Sequence, residues 1–289
     1  MEEEIWAEED RPRKIPYVHI VLFVITFFST LLAGALQKGI NPLDEPERLI
    51  EGLPFSAALM IILLSHELSH YIASKIHRMQ ATLPYFIPAP TIIGTFGALI
   101  KMKSPITTRN ALIDIGASGP IVGFVFSLIA SVIGLSASKI ISIGDVNGAL
   151  GLGDSIIFTA LSRLVLGVTP EGTDIILHPV AFAGWIGFFV TSLNMLPIGQ
   201  LDGGHISYAL FGNRHRYISI ALVVILGVLG IFFWSGWSMW AVLMIVLGLR
   251  HPPVVHSEME LGPERKFVGW AAFLIFVLTF TPEPFKINL

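Results

Sequence analysis

Residues 53–77 read LPFSAALMIILLSHELSHYIASKIH, and the first thirteen of them carry no formal charge. Such a run suits a helix that faces lipid. Ser65-His66-Glu67-Leu68-Ser69-His70 then sets two imidazoles and a carboxylate into the same apolar stretch. An ionisable side chain at the centre of a bilayer costs about 2.5–3.5 kcal/mol on insertion scales, so its presence there points to chemistry. A chain built on this stretch has to bury it around a metal or a cavity.

The composition fits that setting. Of the 289 residues, 53% are hydrophobic and 13% charged, against about 25% charged in ordinary globular domains, which indicates a polytopic membrane protein. A net charge of −3 gives no reason to expect nucleic acid as a partner. With no cysteine in the chain, disulfides, thiolate metal ligands and a cysteine nucleophile are all excluded. The start, MEEEIWAEED, is acidic where a signal peptide needs a basic region. It reads as a cytosolic tail ahead of an uncleaved first span.

A span needs about 20 apolar residues. The candidate segments are roughly 17–36, 53–76, 112–135, 178–199, 217–233, 235–249 and 266–281. Residues 217–249 hold no Lys, Arg, Asp or Glu; as one helix they would reach about 50 Å, too long for one upright span. Ser235-Gly236-Trp237-Ser238 offers a turn in the middle. The expected fold is therefore an all-α polytopic membrane protein of six to seven transmembrane helices. A small membrane-associated β-hairpin joins the second to the third. No repeat or appended soluble domain is visible, so residues 1–289 read as a single membrane-embedded domain.

Of the eighteen basic residues, only Lys38, Arg48, Lys139, Arg163 and Lys286 fall on the side opposite the N-terminus in this topology. By the positive-inside rule the N-terminus is cytoplasmic. The second span then runs inward and carries His66 and His70 in its cytoplasmic half.

Between the second and third spans, Pro84, Pro88 and Pro90 forbid continuous helix, while residues 93–104 (IGTFGALIKMKS) alternate. The alternation sets Phe96, Ala98, Ile100 and Met102 on one face of a strand and Thr95, Leu99, Lys101 and Lys103 on the other. A hairpin lying on the membrane surface satisfies this pattern. So does an edge strand at 94–103 that offers its backbone to an extended peptide. In the third span, Gly116, Ser118, Gly119 and Gly123 are small residues that allow close helix packing in lipid. Asp114, near the cytoplasmic end of that span, reads as an interfacial or supporting partner rather than a metal ligand.

On a helix, His66 and His70 lie one turn apart on the same face. Two imidazoles so placed can share one tetrahedral zinc at about 2.0–2.1 Å. Glu67, turned about 100° away, can reach water at such an ion without entering the coordination sphere, as a general base does. A third protein ligand is needed. His77 is out of reach on a continuous helix, about 16 Å along the axis from His66. The better source is the end of the fourth span, where Asn194-Met-Leu-Pro197-Ile-Gly-Gln-Leu201-Asp202-Gly203-Gly204-His205 breaks the helix with proline and glycines. Irregular backbone at membrane depth is tolerated only where it lines a cavity or is buried in protein. Asp202 is the candidate ligand there, and His205, beyond the two glycines, is the alternative.

His66-Glu67-x-x-His70 together with Asn194-x-x-Pro197-x-x-x-Leu201-Asp202-Gly203 resembles the site-2 proteases, the zinc intramembrane metalloproteases. The Gly94-Thr-Phe-Gly-Ala-Leu-Ile element and Gly119-Pro120 are similar to features of the same family. The resemblance covers about residues 53–210. It implies one zinc ion held by His66, His70 and Asp202, with Glu67 as catalytic base. It further implies that Asn194 stabilises an oxyanion or positions the substrate, and that strand 94–103 presents the scissile segment of a membrane-spanning protein. The PDZ and CBS domains of many members have no room in this sequence. Two other functions stay open: a silent homologue that binds membrane partners, which would lack the base or a ligand, and a metal or ion transporter, which would carry polar residues across the bilayer.

Overall fold

A computed structural model describes residues 15–142, 151–168 and 170–286. The acidic tail and part of the loop expected at 137–177 lie outside the described residues. Helix α1 (Tyr17–Gln37) begins after Pro16 and is followed by a 3-10 turn (Pro46–Gly52) that runs into α2 (Leu53–Ile76). Glycines set the contact between the two helices: a Cβ on Gly34 would come within 2.6 Å of Gly52 O, and one on Gly52 within 2.1 Å of Leu31 O. Beside this contact, the Thr30 and Ser56 hydroxyls lie 2.7 Å apart, fully buried. Helix α2 ends where Arg78 takes a left-handed φ of 56°, a conformation that stops a helix at some cost to a residue with a side chain.

A hairpin of β1 (Tyr85–Pro88) and β2 (Thr95–Leu99) follows. Its register departs from the expected alternation. Tyr85 pairs with Leu99 and Phe86 with Ala98, but Pro88 pairs with Thr95, so Phe96 and Gly97 together oppose Ile87. This is a β-bulge, with Gly97 at φ 100°. The Thr95 hydroxyl holds it, donating to Ile87 O at 2.7 Å and accepting the Gly97 N–H at 2.9 Å. Past the extra residue the period of two is lost: Thr95 and Gly97 are buried, whereas Phe96 and Leu99 are both exposed. At the tip, Gly94 (φ 81°) sits so close to α1 that a Cβ would meet Ser29 O at 2.5 Å. Ser29 Oγ donates to Gly94 O at 2.6 Å, and Gln37 Nε2 donates to Ile92 O at 2.9 Å.

Helix α3 (Arg109–Ser136) is capped by the Thr108 hydroxyl, which accepts the Ala111 N–H at 3.1 Å. Next come β3 (Lys139–Ser142), β4 (Gly151–Leu152), the short helix α4 (Ile156–Leu166) and β5 (Thr173–Ile176), with β3 and β5 paired antiparallel. Helix α5 (Pro179–Asn194) packs on α3 through small residues; Gly184 and Gly187 lie against Ser131 and Ser127 with no room for a Cβ. An irregular loop leads to α6 (Asp202–Phe211), then α7 (His215–Phe232), α8 (Gly236–Leu247), α9 (Pro263–Thr279) and β6 (Phe285–Lys286), which pairs with β4.

Each expected span coincides with a helix, although α5 ends at Asn194 rather than running to residue 199. Among the described residues, four helical stretches are long and apolar enough to cross a membrane: Tyr17–Gln37, Pro46–Ile76, Arg109–Ser136 and Asp202–Phe232. Helices α5, α8 and α9 have 16, 12 and 17 residues. The exterior differs from that of a water-soluble bundle, and the apolar core also holds small hydroxyls. Val21, Phe28, Val224, Ile231 and Val246 point outward, while Thr26, Thr30, Ser56, Ser127 and Ser131 are wholly buried. An apolar exterior with small hydroxyls buried at close helix contacts is what a lipid environment selects.

Candidate metal centre

The one-turn spacing on α2 brings the two imidazoles together, with ring centroids 4.8 Å apart and Nε2 atoms 3.1 Å apart. His66, Glu67 and His70 are only 4–6% exposed. The room for their rings comes from α3. A Cβ on Gly119 would lie 2.1 Å from His70 Nε2, and one on Gly123 would lie 2.8 Å from His66 Nδ1. Two glycines one turn apart on α3 thus face two histidines one turn apart on α2. The small-residue stripe does serve close packing, as the sequence suggests, but at these two positions it makes space for imidazole. This cradle was not read from the sequence; the signal that could have revealed it was the shared spacing of four.

The fourth side chain arrives from the loop after α5. Residues 195–201 turn tightly, and Gly203 and Gly204 let α6 fold back on them: a Cβ on Gly203 would come within 2.0 Å of Met195 O, and one on Gly204 within 2.5 Å of Gly199 O. Asp202, the first residue of α6, directs Oδ2 to 3.3 Å from His66 Nε2 and 3.2 Å from His70 Nε2. Ligating atoms of His66, Glu67 and His70 all fall within 4.8 Å of one another. Glu67 Oε1 nevertheless stands 4.0 Å from His66 Nε2, farther than Asp202 from either ring. Asp202 is therefore the carboxylate that meets both imidazoles, and Glu67 stands to one side. Asn194, at the end of α5, brings Nδ2 to 3.3 Å from His66 Nε2.

This donor set suits a metal ion. Four ligands held tetrahedrally on zinc at about 2.0–2.2 Å stand roughly 3.3–3.6 Å apart. The triangle of His66 Nε2, His70 Nε2 and Asp202 Oδ2, with sides of 3.1, 3.2 and 3.3 Å, lies within a few tenths of an ångström of that spacing. The tautomer is also suited: His70 Nδ1–H donates to the Ile115 carbonyl of α3 at 2.7 Å, which leaves the Nε2 lone pair facing the triangle.

The other histidines lie elsewhere. His77, at the end of α2, pairs with Asp114 at 2.8 Å. His205 turns away from the triangle, its Nδ1 lying 2.6 Å from His251 Nε2. His251 Nδ1–H donates to Pro252 O at 2.6 Å, so Nε2 accepts from His205 Nδ1–H. Burial holds the His251 imidazole down to about 4, well below its ordinary value, so His251 is neutral across the physiological range. Just after β2, the Ile100 backbone comes up against the Glu67 carboxylate.

Comparison with known proteins points the same way. The profile of Peptidase family M50 matches residues 54–234, which include every member of the cluster. The chain is 30% identical over 269 residues to the probable zinc metalloprotease EGY2, chloroplastic, of Arabidopsis thaliana, covering 91% of this chain and 48% of that protein. It is 31% identical over 249 residues to the probable zinc metalloprotease EGY1, chloroplastic, of the same plant, covering 80% and 43%. For the probable zinc metalloprotease EGY2, chloroplastic, of Oryza sativa subsp. indica the identity is 29% over 281 residues, covering 92% and 49%. The chain thus spans about half the length of these curated relatives. No solved structure matches it significantly. With the match running through more than half of the chain and across the whole cluster of His66, His70 and Asp202, this protein belongs to Peptidase family M50.

Proposed function

We propose that the chain is an intramembrane zinc metalloprotease that hydrolyses peptide bonds within or near the transmembrane segments of membrane-anchored substrates. The observation that carries this reading is the triangle of buried His66 and His70 with half-buried Asp202, set among apolar helices with Glu67 beside it. In this reading those three residues hold one zinc ion, Glu67 is the general base, and Asn194 is a hydrogen-bond donor to the reacting carbonyl. Bound zinc supplies Lewis acidity, polarising a carbonyl and acidifying water towards a pKa of about 7.

The remaining chemistry belongs to the chain. Glu67 takes a proton from the attacking water and delivers it to the leaving amine. The Asn194 amide, 3.3 Å from His66 Nε2, is placed to donate to the oxygen on which negative charge develops. A transmembrane helix keeps its peptide bonds inside its own hydrogen bonding and has to unwind before attack. The free edge of β2 supports a way to do so. An unpaired strand edge at membrane depth leaves N–H and C=O groups without partners, and an unwound substrate segment added along 94–103 would satisfy both sets. Just past β2 the Ile100 backbone lies against Glu67, so pairing and attack would share one place.

The six-to-seven-span topology, the single membrane-embedded domain over 1–289 with its catalytic core at about 53–210, and the orientation in the cell membrane with N-terminus and centre towards the cytoplasm belong to the same proposal. The asymmetry of the basic residues supports the orientation. The test is Glu67→Gln: cleavage of a single-span substrate should fall below detection while purified protein keeps stoichiometric zinc. Cleavage at the wild-type rate would overturn the mechanism.

A further inference from the structure

Asp114 takes no part in the chemistry above, yet it is the most heavily bonded carboxylate near the centre. Its Oδ2 accepts from His77 Nε2 at 2.8 Å, and the two oxygens accept from Arg265 Nε at 2.9–3.0 Å, with Arg265 Nη2 at 2.9 Å from Oδ2. Three elements meet there. His77 caps the end of α2, the helix that carries His66, Glu67 and His70; Asp114 lies early in α3; Arg265 lies in the first turn of α9.

The next residue of α3 is Ile115, whose carbonyl accepts His70 Nδ1–H. That bond sets the direction of the His70 ring, so its length depends on how α2 sits against α3. Ala73 and Ile115 pack together beneath this contact, and beside it a half-open cleft of about 290 Å3 is lined by Ala73, Ala117, Ser118, Ile121 and Val268 and bordered by His77 and Asp114. At the edge of that cleft, the hydrogen bonds of Asp114 to His77 and Arg265 are the polar ties between the three helices.

We propose that Asp114 is a positioning residue of the metal centre. It ties the end of α2 and the start of α9 to α3, and so holds Ile115 O at the distance that keeps His70 Nε2 aimed at the ion. The proposal rests on the reading of His66, His70 and Asp202 as zinc ligands. Partners that orient a metal-binding histidine typically contribute about 10–100-fold in metal affinity, and an effect of that size is expected here although Asp114 acts one step removed.

The experiment measures zinc Kd by chelator competition on purified full-length protein in detergent, together with thermal unfolding and the visible spectrum of the Co2+-substituted protein. Asp114→Ala should weaken zinc binding by about 10–100-fold and shift the Co2+ bands. Arg48→Ala, which cuts the exposed ion pairs to Glu45 and Glu51, should leave both unchanged. A folded Asp114→Ala protein with the wild-type Kd and spectrum would overturn the proposal, even if its melting temperature fell, since a structural tie alone would give that result. If Asp114→Ala does not fold, His77→Ala decides, because it removes only the α2 side of the tie: weaker zinc binding supports the proposal and an unchanged Kd overturns it. Wild-type zinc affinity in His66→Ala would instead overturn the reading of the centre itself, and this proposal with it.

Discussion

The two ends of the helical bundle are held by different physics. At one end, three polar atoms meet within 3.3 Å, backed by two glycines and a carbonyl. At the other, Trp185, Phe189, Trp234, Trp237 and Phe285 pack mostly edge to face, with ring centroids 5.4–6.3 Å apart. Their polar edges are satisfied by backbone, Trp185 Nε1–H donating to Gly153 O at 2.8 Å and Trp237 Nε1–H to Pro282 O at 2.7 Å. An aromatic cluster stabilises through buried area, which degrades gradually when a ring shifts. A metal site depends on a few interatomic distances, and a displacement of half an ångström is enough to lose it. The comparison predicts that changes at the first end alter chemistry more than stability, and that changes at the second do the reverse.

Asp202→Ala should break the first end most completely. It removes one corner of the triangle, so zinc affinity should fall by well over the ~10–100-fold expected for losing an orienting partner, and proteolysis with it. Metal analysis after dialysis reads the outcome, and retained stoichiometric zinc would move the third ligand elsewhere. Gly119→Ala comes next. Its new methyl carbon would fall 2.1 Å from His70 Nε2, so the ring has to rotate out of the triangle; cleavage should drop at least ~10-fold with a modest change in melting temperature. If Gly119→Ala kept full activity, the cradle would be only a packing surface. Trp185→Ala should have the smallest effect on turnover. The 1% exposed indole leaves a cavity costing about 3–5 kcal/mol of stability, while folded protein at low temperature should bind zinc with unchanged Kd. A lost metal site in that variant would show that the two ends are coupled.

The grouping of His66, Glu67, His70 and Asp202 was largely legible in the sequence because its signals violate their surroundings. His66, Glu67 and His70 stand out in an apolar run, and Pro197 with Gly199, Gly203 and Gly204 breaks a span at the place where Asp202 appears. The helices were legible for the same reason that lipid demands them: a spanning backbone has to satisfy itself. Other features were hidden because their residue patterns are ambiguous. Gly119 and Gly123 look the same whether a glycine makes room for a neighbouring backbone or for an imidazole. The alternation over 93–104 continues through Phe96 and Gly97 as if no residue were extra, because a bulge is a matter of pairing and not of composition. The His205–His251 pair joins residues 46 apart, and neither carries a local motif.

Asp202 and His70 touch, yet 132 residues separate them in the chain. At ~5–20 residues per second, a ribosome takes roughly 7–26 s to make that stretch. Throughout that interval α2 already carries its imidazoles and its carboxylate, but the third corner does not exist. If the three residues form the proposed zinc site, that site cannot assemble until the sixth helix emerges and docks, so the nascent chain and its neighbours in the membrane would be spared until then.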